Sequence, residues 1–284
     1  MGLASAAISI ADGVPSSMSA DLRRKILDRC REWGIEMVGF ASADDWEHPP
    51  FEPFPPREFC PKAIFPGCRT VVVLGLPVTL PILETSPSIW YKELYVNLNS
   101  QLDERAYQLS ELLNRLGHAS VYVPRDGYGS VEVLVDNPYA FFSHRHAAYL
   151  AGLGTFGLNN MLLTKEFGPR VRFVSVFTTA EIPAGKPMER SLCVRCHRCI
   201  KACPVQAIGD VNYPQASIDK VRCSRRSIEL KKRHRSPCGI CIKVCPVGED
   251  RKLFKRGDMG LYDGPEKDPQ LYEAWEHVRR YGST

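Results

Sequence analysis

The feature that most constrains this chain of 284 residues is the spacing of its cysteines, eight of which fall between residues 193 and 245. The first run reads Cys193-x2-Cys196-x2-Cys199-x3-Cys203-Pro204. The second reads Cys238-x2-Cys241-x3-Cys245-Pro246. Three thiolates at successive x2 spacing let a short loop wrap one iron–sulfur cube while its backbone N–H groups point at the sulfurs. The fourth thiolate of the first run begins a different path, turned by proline, and faces a second cube. The second run is one cysteine short, and Cys223 lies upstream to supply it. Eight ligands then serve two 4Fe–4S clusters: Cys193, Cys196, Cys199 and Cys245 for the first, and Cys203, Cys223, Cys238 and Cys241 for the second.

Structural zinc is the competing reading, because zinc also takes four thiolates and uses C-x2-C pairs. The x2-x2-x3-Cys-Pro run is instead the spacing of two-cluster ferredoxins. It implies low-potential, one-electron transfer. Cys30, Cys60 and Cys68 lie far from this group and read as buried or free thiols. Eleven cysteines, an odd number in clusters, suit a reducing compartment better than a disulfide framework. No apolar stretch is long enough to span a bilayer, and the start of the chain lacks a basic n-region. The expected location is the cytoplasm, with no membrane partner. The formal charge of +5 does not by itself indicate nucleic acid.

Upstream of the cysteines the chain mixes helix and strand, giving an α+β class. Residues 1–19 read as a disordered leader. Residues 20–33 have helical spacing closed by Gly34, and IEMVGFA follows as a strand. Residues 42–67 read as an irregular connection. The apolar run 70–78 reads as a buried strand. Residues 92–116 carry one Leu/Ala stripe and form the strongest helix, stopped by Gly117. SVYVP at 120–124, VEVLV at 131–135, MLLT and 171–179 read as strands, and 143–151 as a helix. Pro183 to Pro187 is a linker. The organisation is therefore 20–184 as one domain, 185–250 as the cluster domain, and 251–284 as a tail with one helix starting at Asp268-Pro269. Arg222 to Arg235 is strongly basic. It can bind a phosphate backbone, dock an acidic electron donor, or offset cluster charge.

A two-cluster module needs only about 60 residues, by its ligand spacing, so the long N-terminal part points to a second site. Here the chain resembles the superfamily of epoxyqueuosine reductases and reductive dehalogenases. The resemblance rests on PGCRTVVVLGLPV (66–78), the VDNP of 135–138, the turn Ala151-Gly152-Leu153-Gly154-Thr155-Phe156-Gly157, and MLLTKEFGPRVRFVSVFTT (161–179), followed by the cysteine runs. EFGPRVR leans towards the dehalogenases, and the short length towards the epoxyqueuosine branch without its C-terminal helical-repeat domain.

The resemblance implies a nitroreductase-like α/β N-terminal domain followed by the ferredoxin-like module, with a cobalamin held between them. It implies electrons passing from an external ferredoxin or flavodoxin-type donor through the clusters, for reductive deoxygenation or dehalogenation. The substrate is a small molecule or tRNA. Asp136 matches the family's proton-donating aspartate. The same residue also reads as an Asx-turn before Pro138, with Tyr139 a buried aromatic nearby. Gly152, Gly154 and Gly157 read as close backbone approach to a corrinoid or as tight packing. His144 and His146, two apart on a helix, face different ways. The alternative is a non-catalytic two-cluster electron-transfer protein that docks a partner enzyme.

Overall fold

A computed structural model describes residues 16–280 apart from 53, 216 and 217. Most of the leader expected over 1–19 lies outside the described residues. Helix α1 (Ser16–Glu32) already begins inside it, four residues before the expected start. In chain order there follow β1 (Met37–Ser42), α2 (Pro61–Ile64), β2 (Thr70–Pro77), α3 (Leu80–Glu84), α4 (Ile89–Arg115), β3 (Ser120–Val123), α5 (Val133–Asp136), α6 (His144–Leu150), β4 (Thr155–Phe156), β5 (Leu162–Leu163) and β6 (Val171–Thr178). The cysteine-rich part adds α7 (Arg198–Ala202), α8 (Lys220–Lys231), α9 (Ile240–Lys243) and α10 (Asp250–Leu253). A last helix, α11 (Pro269–Arg280), closes the chain.

The N-terminal part is built on an antiparallel sheet of order β1-β2-β6-β3. β2 and β6 are central and buried on both faces, which is why they read as continuous β-branched runs rather than alternating ones. Alternate residues still serve opposite layers. Val72, Leu74, Val174 and Val176 pack on Leu102, Ala106, Leu109 and Leu113 of α4 and on Ile26 of α1. Val71, Val73, Phe173 and Phe177 pack on the other side with Ala147, Leu150 and Trp46. α4 starts three residues earlier than its apolar stripe suggested, because Ser88 caps it by accepting from Tyr91 N–H at 3.1 Å.

Two expectations are corrected. VEVLV is no strand: residues 133–136 form one helical turn. Pro183 to Pro187 is not a free linker. Ile182 is buried, and Gly185 N–H donates to Phe40 O at 2.8 Å, tying the segment to β1. The last helix runs from Pro269 as read, with Asp268 accepting from Leu271 N–H at 3.0 Å. No helix among the described residues is long and apolar enough to cross a membrane.

Candidate iron–sulfur site

The two cysteine runs fold alike. In each, the residue after a cysteine is left-handed and opens a one-turn helix. His197 (φ 59°) precedes α7, and Gly239 (φ 73°) precedes α9. The short helix carries the next cysteine, Cys199 or Cys241, and Cys203 or Cys245 follows just past its end. α7 and α9 pack against each other. Arg195 is also left-handed, at φ 50°, so the first loop curls twice within seven residues.

The structure brings thiols of both runs close together, with Cys199 near Cys193, Cys196 and Cys245, Cys223 near Cys203 and Cys238, and Cys241 near Cys199 as well as Cys203, Cys223 and Cys238. Burial, and then the charges of Cys245, Cys196 and Cys193, push the Cys199 thiol up to about 11. Burial, and then Cys238 and Cys203, push Cys223 up to about 11. Cys241 is raised well above its ordinary value by burial and by Cys223, Cys238, Cys199 and Cys203. Mutually opposed thiols of this kind are what an electrophilic metal cluster relieves. Cys193, Cys196, Cys199 and Cys245 also line one small cavity of about 20 Å³, together with Gly157, Leu158 and Leu163. Ala207 N–H donates to Cys203 Sγ at 3.3 Å. These features fit cubane ligation.

The thiols differ in exposure. Cys196 is exposed and Val194 beside it is 66% exposed. The second set is covered by the sheet domain: a Cβ on Gly239 would stand 2.6 Å from Tyr91 Cε1, and Asn159 Nδ2 donates to Cys241 O at 3.3 Å. Beside Cys223 lies a half-buried polar face. Arg172 donates to Asp126 at 3.0 Å and to Asn99 at 3.1 Å, and Tyr95 donates to Asp126 at 3.4 Å. Burial and Tyr95 raise the Tyr128 phenol, and Arg145 carries its charge among Arg172, Tyr128 and Cys223. No sequence pattern marks this face, because its members come from four separate segments.

Several sequence-singled residues stand elsewhere. Asp136 is exposed at the end of α5. Tyr139 is 48% exposed rather than buried, stacked on Phe59 with Lys220 over its ring at 4.3 Å. At Gly152 and Gly154, tight packing accounts for the glycines. A Cβ would stand 2.4 Å from Lys186 O and 2.1 Å from Leu163 O, so the close approach is by the chain's own backbone. Gly157 packs on Leu163 and Asn159. His144 and His146 do face different ways, but both are buried and structural. His144 bonds Ser175 Oγ and Pro124 O, each at 2.9 Å. His146 bonds Ser143 Oγ at 2.6 Å and Tyr213 OH at 2.7 Å.

The sequence also missed how the two parts are joined. Arg170, fully buried, forms a two-pronged pair with Asp250 at 2.7 and 2.6 Å and donates to Cys245 O at 3.1 Å and Val247 O at 2.7 Å. The EFGPR stretch thereby clamps the loop that bears Cys245.

Comparison with known proteins bears on the first cysteine run and on the fold. The family model for a 4Fe-4S binding domain matches residues 188–209. The sequence is 28% identical over 233 residues to a tetrachloroethene reductive dehalogenase of Desulfitobacterium hafniense, covering 75% of this chain and 36% of the relative. It is 22% identical over 289 residues to an epoxyqueuosine reductase of Bacillus cereus, covering 88% and 69%. The fold matches a reductive dehalogenase structure described for B12-dependent dehalogenation (TM-score 0.61, 19% identity, 88% of this chain and 37% of that one). It also matches an epoxyqueuosine reductase solved with an epoxyqueuosine-modified tRNA-Tyr stem loop (TM-score 0.54, 19% identity, 80% and 65%). The chain spans 36% of the length of the dehalogenases it matches. It is thus a protein with a 4Fe-4S binding domain whose homologues are reductive dehalogenases and epoxyqueuosine reductases.

Proposed function

We propose that this chain is an iron–sulfur oxidoreductase that relays single electrons through two 4Fe–4S clusters to a reductive reaction at the face of its N-terminal domain. Cys193, Cys196, Cys199 and Cys245 hold the first cluster, and Cys203, Cys223, Cys238 and Cys241 the second. The observation that supports the reading is the gathering of the thiols of both runs at one place, from the exposed Cys196 to Cys241, which is buried against the sheet domain. Electrons from an external ferredoxin or flavodoxin-type donor enter at the exposed Cys196 edge and leave on the Cys223 side.

The second part of the proposal is a cobalamin, on the strength of the B12-dependent relative of similar fold. When bound, cobalamin supplies a reducing centre for removing a halide or an epoxide or hydroxyl oxygen. The residues of this chain that would face it are Tyr95, Tyr128 and Arg145, beside Cys223. Gly152, Gly154 and Gly157, closed off by Lys186, Leu163 and Asn159, would brace the surrounding fold rather than touch it. Arg145 and Arg172 place positive charge where a leaving anion develops. Tyr128 is the proton source already in place. Asp136 takes that part only if segment 124–143 moves inward to bury it. A nitroreductase-like origin for the sheet domain and a cytoplasmic location belong to the same proposal.

A small molecule is one substrate class. tRNA is the other, and Arg222 to Arg235 would bind it. That segment is α8 with its following turn, and it exposes Arg222, Arg225, Lys231, Lys232 and Arg233. The purely electron-carrying alternative is not favoured, since the homologues are reductive enzymes. Anaerobically purified protein mixed with cobalamin and passed over a gel-filtration column is expected to keep a corrinoid absorption band. Loss of the band on the column would defeat the cobalamin part.

A further inference from the structure

Under the cysteine loops lies a layer of buried charge that does not balance. Arg170 is matched by Asp250, and Arg256 by Glu84 at 2.9 Å. Two buried cations remain. Arg251 is 3% exposed. It donates to Cys245 O at 2.8 Å, Lys243 O at 2.5 Å, Arg256 O at 3.3 Å and Tyr262 OH at 3.0 Å, and to no carboxylate. Lys243 is 9% exposed, and its ammonium donates to Ser86 O at 3.3 Å. Neither forms an ion pair among the described residues. Carbonyl and phenol partners satisfy hydrogen bonds but do not cancel charge, and a buried unpaired ion is costly. Glu84 and Glu276 reach Lys243 only through space, and Glu84 reaches Arg251 only through Tyr262, so the layer is left short of negative charge.

The positions of the two cations say where those charges belong. Arg251 grips the carbonyl of Cys245, in the first thiol set. Lys243 reaches Ser86, whose Cβ lies 3.1 Å from where a Cβ on Gly239 would stand, and Gly239 follows Cys238 of the second set. Each thiol set thus has one uncompensated cation behind it. A cube held by four thiolates is anionic and gains charge on reduction, and net charge is one of the determinants of cluster potential.

We propose that Arg251 and Lys243 are built-in counter-charges, one for each cluster, and that each holds the potential of its own cluster up. The inference rests on the two-cluster reading above. It assigns the two residues to setting potential, beyond any part they play in packing.

The test is an EPR-monitored redox titration of the anaerobically purified, iron-loaded chain with dithionite as reductant. Arg251→Met is expected to weaken electron binding at one cluster about tenfold, a fall of about 59 mV for a one-electron couple, and to move the other far less. Lys243→Met is expected to show the converse pattern. Arg251→Lys keeps the charge and is expected to leave both potentials in place. Unmoved potentials in both Met variants, or both clusters moving together, would overturn the proposal, as would Arg251→Lys shifting as far as Arg251→Met. If Arg251→Met loses its iron, Lys243→Met and Arg251→Lys decide alone by the same criteria. A wild-type protein without two 4Fe–4S signals would defeat the two-cluster reading itself. Two clusters with unmoved potentials would defeat only this inference.

Discussion

The sheet domain and the cysteine module are held together by different physics. In the sheet domain, β2 and β6 are sandwiched between two apolar layers that include Val72, Val174, Leu109 and Phe177, all fully buried. In the module the buried apolar residues are few: Cys199, Ala207, Ile208, Leu230, Ile242 and Val244, with Leu158 of the sheet domain packed against Cys199 and Ile208. Its helices α7, α9 and α10 have four or five residues each, too short to be stable by themselves. What remains is ligation, the Arg170–Asp250 clamp, and the grip of Arg251 on the Cys245 carbonyl. The comparison teaches that one part carries its own fold, whereas the other borrows stability from its cofactor and its neighbour.

The largest effect should come from removing iron. Chelation under reducing conditions is expected to unfold residues 190–250 while leaving the sheet intact. Hydrogen exchange read by segment would show loss of protection in the module alone, and equal loss in β2 and β6 would break the distinction. Next in size is the junction. Arg170→Met leaves Asp250 buried without its partner, a change that costs about 3–5 kcal/mol. It should release the Cys245 loop and lower the iron content, measured as iron per chain after purification. Leu109→Ala, in the sheet core, should cost about 2–5 kcal/mol of unfolding free energy while keeping the iron content, which separates core packing from ligation.

A smaller effect is expected from pH. Burial pushes His144 down to about 4 and His146 down to about 3. Both are neutral in the fold and take up protons on unfolding, so the unfolded state binds more protons below its own value of about 6.5. Their contribution is full above about pH 6.5 and is lost as pH falls towards the folded values. Urea midpoints of the sheet domain between pH 7 and pH 4 should fall accordingly, and the double replacement His144→Gln, His146→Gln should flatten that slope. Smallest on stability, Lys232→Glu with Arg233→Glu at the exposed end of α8 should change unfolding by less than about 0.5 kcal/mol. If RNA is the partner, the same pair should weaken RNA binding and reduce its salt dependence.

Much of this was legible because it is local. The x2-x2-x3 spacing is a property of one loop. The Leu stripe of α4 and the β-branched runs of β2 and β6 each state their period within a single segment. VEVLV failed for the same reason: five alternating residues are too few to separate a strand from a helical turn, and packing of α5 on α8 decides the matter, with Glu132 meeting Lys231 at 3.0 Å. The glycine turn announced a close approach but not its partner, since Leu163 O and Lys186 O reach it through the fold. Arg170 and Asp250 stand 80 positions apart and read in sequence as ordinary loop charges. The face of Tyr95, Asp126, Tyr128, Arg145 and Arg172 is likewise assembled from four segments.

The central claim is that eight cysteines in two crossed sets hold two cubane clusters. Iron and acid-labile sulfide counted on anaerobically purified protein, with EPR of the dithionite-reduced sample, test it directly. The account predicts eight irons and eight sulfides per chain with two interacting 4Fe–4S signals, falling to one cluster when Cys223 is replaced by alanine. Bound zinc without sulfide, or four irons unaffected by Cys223→Ala, would contradict it.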